Sequence, residues 1–138
     1  KQYAGMEQGI EKTGGSVVVI DRDELFVRLI TTMFQNRGWK TKGYTTSSAA
    51  LQALQENAME PPDLLIADHS APGGAVQSLL DKARQRYPGL YCLLLSGNRK
   101  VLPLLLPENT AFIHKPVRPS HLLQVAEKLL HPRKPISD

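Results

Sequence analysis

The chain has one cysteine, Cys92, so no disulfide can form within it. That thiol sits inside the apolar run LYCLLLS and reads as a small core residue. A reducing, cytoplasmic compartment is therefore expected. Aromatic residues are scarce at 6%, and the surplus of +4 is small, with much of it in the C-terminal HPRKP. Without a basic helix or a basic surface studded with aromatics, nucleic-acid binding through this domain is not expected. The histidines His69, His114, His121 and His131 show no metal-ligand spacing. No apolar stretch approaches the roughly 20 residues needed to cross a bilayer, and the N-terminal residues carry no signal-peptide pattern, so no membrane contact is expected. What remains, 138 residues of which 41% are hydrophobic, has the composition of one soluble globular domain.

Within that domain, strand and helix patterns alternate. SVVVID is a β-branched run ending on an acid, and ELFVRLITTMFQNRGW follows at helical spacing. Phe26, Leu29, Ile30, Met33 and Phe34 fall on one face of that helix, with Gly38 as its stop. KTKGY reads as a weak, edge-like strand, TTSSAALQALQENA as a helix with Ser or Thr to cap it, and DLLIAD as strand three. AVQSLLDKARQRYP is amphipathic and closed by proline. LYCLLLS and AFIH are strands four and five, and PSHLLQVAEKLL is the closing helix. Strands alternating with helices imply an α/β fold with a parallel sheet covered on both faces. Between strands four and five, NRKVLPLLLPEN contains Pro103 and Pro107, so the fourth helix there should be short or irregular. Trp39 reads as a core or rim residue under strand two, Asp63 as a turn residue that starts strand three, and Arg84 and Arg86 as solvated surface.

The polar residues gain meaning on this frame. Asp21 ends strand one, Asp68 ends strand three, Ser96 ends strand four and Lys115 follows strand five. In a right-handed doubly wound sheet these ends lie along one edge, where ligands bind. Two carboxylates suit a hard cation such as Mg²⁺, and a hydroxyl with an ammonium supplies donors for phosphoryl oxygens. An ionised aspartate can also attack a phosphoryl group.

The motifs VVVIDRDE, PDLLIADHSAP, RQRYPGLYCLLLSG and FIHKPV, in that order, resemble the receiver domain of two-component response regulators and hybrid histidine kinases. The resemblance covers residues 16–130, leaving 1–15 as a linker or lead and 131–138 as a flexible tail. It implies a CheY-like, flavodoxin-like five-stranded parallel sheet in the order 2-1-3-4-5. It also implies that Asp68 accepts a phosphoryl group from a phosphohistidine, with Asp21, Asp68 and the Ser70 backbone carbonyl holding Mg²⁺. Ser96 and Lys115 would hold the phosphoryl oxygens, Ser96 and Phe112 would form the switch, and Lys115–Pro116 would be a cis peptide. The implied partner is a histidine kinase or histidine-phosphotransfer domain, with a homodimer possible through the face around strand five. Such a domain is a phosphoacceptor rather than an enzyme in its own right.

Departures from the family's pattern matter as much. The second of the usual two acids after strand one is here Arg22, which weakens the expectation of Mg²⁺ and could instead pair with Asp68. Asp23 is expected to start helix one, facing away from the pocket. Val76 stands where the family often has glycine, and the stretch from Ser96 to Lys115 is shorter than usual, which resembles C-terminal receivers of bacterial hybrid kinases. Two rival readings stay open. One is a degenerate receiver that docks partners without being phosphorylated. The other is a haloacid-dehalogenase-type phosphatase with Asp21 as nucleophile and Asp23 as acid, although the later acidic pair such enzymes need is missing.

Overall fold

In the computed structural model, which describes residues 15–69, 75–97 and 108–130, five strands form a single sheet. The elements in chain order are β1 (Ser16–Ile20), α1 (Glu24–Asn36), β2 (Lys40–Tyr44), α2 (Ser47–Gln55), β3 (Leu64–Asp68), α3 (Ala75–Arg86), β4 (Tyr91–Ser96), β5 (Thr110–His114) and α4 (Pro119–Leu130). Every strand pairing is parallel, and the order is β2-β1-β3-β4-β5, as the resemblance implied. The expected fourth helix across 98–107, the Ser70 carbonyl, the lead before Gly15 and the tail from His131 lie outside the described residues.

Strand alternation divides the core into two layers. Val17, Val19, Leu64, Ile66, Leu93 and Leu95 face α1 and α4, whose Ile30, Phe34, Leu122 and Ala126 complete that side. Val18, Ile20, Leu65, Ala67, Cys92 and Leu94 face α2 and α3, meeting Ala50, Leu54, Leu79 and Leu80. The three central strands are thus buried on both faces and read as continuous apolar runs, while β2 at the edge does not.

Helix boundaries follow local chemistry. Asp23 caps α1, its Oδ1 accepting from the Leu25 and Phe26 N–H groups at 3.0 and 3.2 Å, so it does start the helix as expected. At the other end the Trp39 N–H donates to the Phe34 carbonyl and the Gly38 N–H to the Gln35 carbonyl, a Schellman closure with Gly38 at φ 87°. Helix α2 repeats the device, capped by Thr46 and closed through Asn57 at φ 57°. Trp39 then turns back into the core, edge-on to Phe34 with ring centroids 5.0 Å apart.

Two expectations need correction, and a third holds but is incomplete. The inner face of α1 is turned slightly from the predicted one: Val27, Ile30 and Phe34 are buried, while Leu29 is 52% exposed. The reason lies in β2, where a Cβ on Gly43 would collide with the Val27 side chain, so α1 approaches the edge strand through Val27. Arg84 and Arg86 are not simply solvated. The Arg84 Nη2 donates to the Thr110 hydroxyl at 2.6 Å, tying α3 to β5, and the Arg86 Nη1 donates to the Leu54 carbonyl at 3.3 Å. Finally, Asp63 does more than start a strand. Its Oδ2 accepts from the Ser16 N–H at 2.9 Å while its own N–H donates to the Ser16 carbonyl at 2.8 Å, a two-way clasp between β1 and β3.

Candidate functional site

Four short backbone bonds extend the parallel ladders past the strand ends. The Asp21 N–H donates to the Tyr44 carbonyl at 3.1 Å, the His69 N–H to the Leu95 carbonyl at 2.6 Å, the Lys115 N–H to the Ser96 carbonyl at 2.8 Å and the Cys92 N–H, at the opposite end of β4, to the Asn109 carbonyl at 2.8 Å. The first three fix Asp21, Asp68, Ser96 and Lys115 along one edge of the sheet, beside buried apolar neighbours. The convergence predicted from the sequence is therefore present. Lys115–Pro116 is a cis peptide, as expected.

Asp21 is only 2% exposed, and a carboxylate so buried needs partners for both oxygens. Oδ1 accepts from the Asp23 N–H at 2.9 Å, and Oδ2 accepts from the Lys115 ammonium at 2.7 Å. The second contact is a charge-assisted hydrogen bond. The same ammonium lies 3.8 Å from Asp68 Oδ1, within Coulombic range but beyond a hydrogen bond. Lys115 also stands over the ring of Phe26, 5.2 Å from its centroid, which gives the cation an apolar floor. Phe26, on the predicted core face of α1, is half-buried, packs against the core and serves the site as well. Its spacing from Ile30 is that of any core position on a helix, and Lys115 is too distant in sequence to reveal the contact.

Ser96 is fully buried at the end of β4. Phe112, one strand over, is half-buried and lies edge-on to His69 and His114, at centroid distances of 6.3 and 5.2 Å. Neither histidine has metal-ligand spacing in the sequence, and in the structure each ring meets Phe112. Arg22 is exposed and, among the described residues, forms no ion pair, so the pairing with Asp68 that its sequence position allowed is not formed. Asp68 is approached by Lys115 instead. Cys92 lies away from this edge, wholly buried. Burial pushes its thiol above the ordinary value, and the Arg84 guanidinium draws it part of the way back.

Receiver domains generally bind Mg²⁺ at the phosphorylation site, so the fit of these residues to such an ion can be tested. Both Asp21 oxygens are engaged, one of them by a cation that also faces Asp68. Arg22 brings positive charge to the position where a third carboxylate would stand. Among the described residues no group of three His, Cys, Asp or Glu side chains is placed to hold a metal ion. The described side chains do not fit a divalent cation.

No family model matches the chain, and no curated protein matches it. Solved structures do. The receiver domain from the hybrid histidine kinase CckA superposes with a TM-score of 0.69 at 22% identity, covering 84% of this chain and 99% of that one. A CheY-like response regulator receiver domain from Methanospirillum hungatei JF-1 gives 0.66 at 23% identity over 85% and 94%. A response regulator receiver protein from Sinorhizobium medicae WSM419 gives 0.68 at 17% identity over 88% and 98%. At these identities the likeness establishes the fold: the chain has the CheY-like receiver architecture over most of its length.

Proposed function

Proceeding from a receiver-domain fold, we propose that this chain is a two-component signalling module that accepts a phosphoryl group on Asp68 from a phosphohistidine. The observation that carries the reading is the joint placement of Asp68, Lys115 and Ser96 beside the buried Asp21 at the strand ends. In the transfer an Asp68 carboxylate oxygen attacks phosphorus as the phosphorus–nitrogen bond breaks. The electron pair stays with the imidazole nitrogen of the donor, and the product is an acyl phosphate. Lys115 stands 3.8 Å from Asp68 and needs little movement to meet the incoming oxygens, with the Ser96 hydroxyl as a second donor. Charge on Asp68 would then draw Ser96 and let Phe112 change its contacts with His69 and His114, a population shift between two arrangements.

The donor is a histidine kinase or a histidine-phosphotransfer domain. Leu25 and Leu29, one turn apart on α1, are 72% and 52% exposed, large apolar side chains left uncovered close to the site. Beside them a cavity of about 450 Å³ is lined by Asp23, Phe26, Gly97, Lys115, Pro116 and Val117. An apolar helix surface of a donor domain would cover this region and bring its phosphohistidine to Asp68.

A second reading, a degenerate receiver that docks partners without phosphorylation, is favoured by the 2.7 Å Lys115–Asp21 pair, which occupies the lysine. Intact-mass measurement after incubation with acetyl phosphate or a phosphorylated histidine-phosphotransfer domain separates the two. A gain of one phosphoryl group, lost in Asp68→Asn, is expected. A folded protein that gains nothing from either donor would leave the docking reading standing.

A further inference from the structure

We propose that the carboxylate pocket excludes divalent cations, and that Lys115 and Arg22 supply the positive charge that Mg²⁺ brings to receiver domains generally. The location rests on the receiver reading, but the test does not. The pocket's described side chains hold two negative charges, Asp21 and Asp68, and one positive charge, Lys115, set between them at 2.7 and 3.8 Å. Arg22, exposed and next to Asp21 in the chain, adds a second positive charge to this segment. Asp21, Asp68, Lys115 and Arg22 sum to zero, and Asp23, which lines the cavity with Lys115, is committed to the α1 N-terminus, so a divalent ion would meet at most one uncompensated negative charge and repulsion from two cations.

Position makes the exchange specific to Arg22. Asp23 cannot rotate in as a replacement ligand without uncapping α1, because its Oδ1 accepts from two backbone N–H groups there. Asp21 cannot offer a free oxygen without giving up either the Asp23 N–H or the Lys115 ammonium. Arg22 is exposed and bonded to neither, so its long side chain is at liberty to fold over the pocket when charge on Asp68 rises. A guanidinium is well suited to two phosphoryl oxygens at once, whereas it offers nothing to a metal ion.

The experiment is calorimetric titration of the folded chain with MgCl₂ through the millimolar range, paired with thermal melts at the same concentrations. The wild-type chain is expected to give no saturable heat and no rise in melting temperature beyond a matched ionic-strength control. Arg22→Asp is expected to gain saturable Mg²⁺ binding and a melting temperature that rises with Mg²⁺, both reversed by EDTA. The variant's fold is verified by the emission of buried Trp39. Should Arg22→Asp not fold, Arg22→Ala reads the same contrast with a smaller gain. Saturable millimolar binding by the wild-type chain would overturn the proposal, and variants that bind no better than wild type would overturn the part assigned to Arg22. Phosphoryl transfer to Asp68 that persists in EDTA is the matching functional result, and transfer abolished by EDTA would count against the proposal. If no donor phosphorylates the chain at all, the phosphoacceptor reading fails while the calorimetry still decides this one.

Discussion

Asp21 and Lys115, ninety-four residues apart in the chain, meet at 2.7 Å at the edge of the sheet, the carboxylate almost wholly buried and the ammonium partly open to water. This contact offsets the cost of taking the acid's charge out of water. Removing Lys115 leaves Asp21, among the described residues, with only the Asp23 N–H, and Lys115→Ala is expected to cost about 2 kcal/mol, below a fully buried pair because water reaches the lysine. Urea unfolding of Lys115→Ala, Asp21→Asn and the double variant gives the coupling. Additive losses, within about 0.5 kcal/mol, would mean that the pair contributes nothing to stability.

Asp23 separates two chemistries. As the α1 cap it should be worth about 1 kcal/mol, so Asp23→Ala lowers the urea midpoint while leaving phosphoryl uptake on Asp68 intact. The haloacid-dehalogenase reading makes the opposite demand, since there Asp23 is the general acid. Loss of phosphoryl chemistry at unchanged stability would revive it.

Gly43 is where the edge strand admits α1. A methyl group there runs into Val27, and Gly43→Ala should cost roughly 1–3 kcal/mol as α1 is pushed outward. An unchanged unfolding midpoint would show that the helix withdraws freely, and that its position does not depend on this contact.

Cys92 gives a pH dependence with a definite sign. Burial holds the folded thiol's pKa above its unfolded value, so the fold keeps a proton that the unfolded chain releases. Stability is therefore unaffected below the unfolded thiol pKa and falls as pH rises through it toward the folded value. Tyr44, also pushed up by burial, adds a slope of the same sign at higher pH. Unfolding midpoints compared at about pH 7 and about pH 9.5 should decline less in Cys92→Ala than in the wild type. Equal slopes would mean that the thiol ionises as easily inside as outside.

Much of this fold is legible in the chain because burial writes itself as pattern. The doubly covered strands β1, β3 and β4 appear as unbroken apolar runs, and the acid or hydroxyl that ends each one marks the sheet's functional edge. Helix ends are legible for the same local reason: Asp23, Thr46 and Gly38 act within four residues of themselves. What does not show is partnership across long separations. Nothing beside Lys115 indicates that it prefers Asp21 to Asp68, or that Phe26 lies beneath it. The Arg84 bond to Thr110 and the Asp63 clasp on Ser16 are hidden likewise, since an exposed and a tethered arginine have the same neighbours in sequence. The turned face of α1 depends on a missing side chain at Gly43, which a hydrophobic pattern cannot register.

The edge strand β2 carries a consequence of another kind. One of its sides pairs with β1, and among the described residues no strand pairs with the other, whose backbone groups could meet an extended segment. Lys40 and Lys42 alternate along it, both exposed, Lys40 paired with Glu60 at 3.3 Å, so two copies aligned edge to edge in register would set lysine against lysine at both positions. Like charges at that spacing oppose the strand-to-strand growth by which sheet proteins aggregate. The residues that made this strand look weak in the sequence thus guard it.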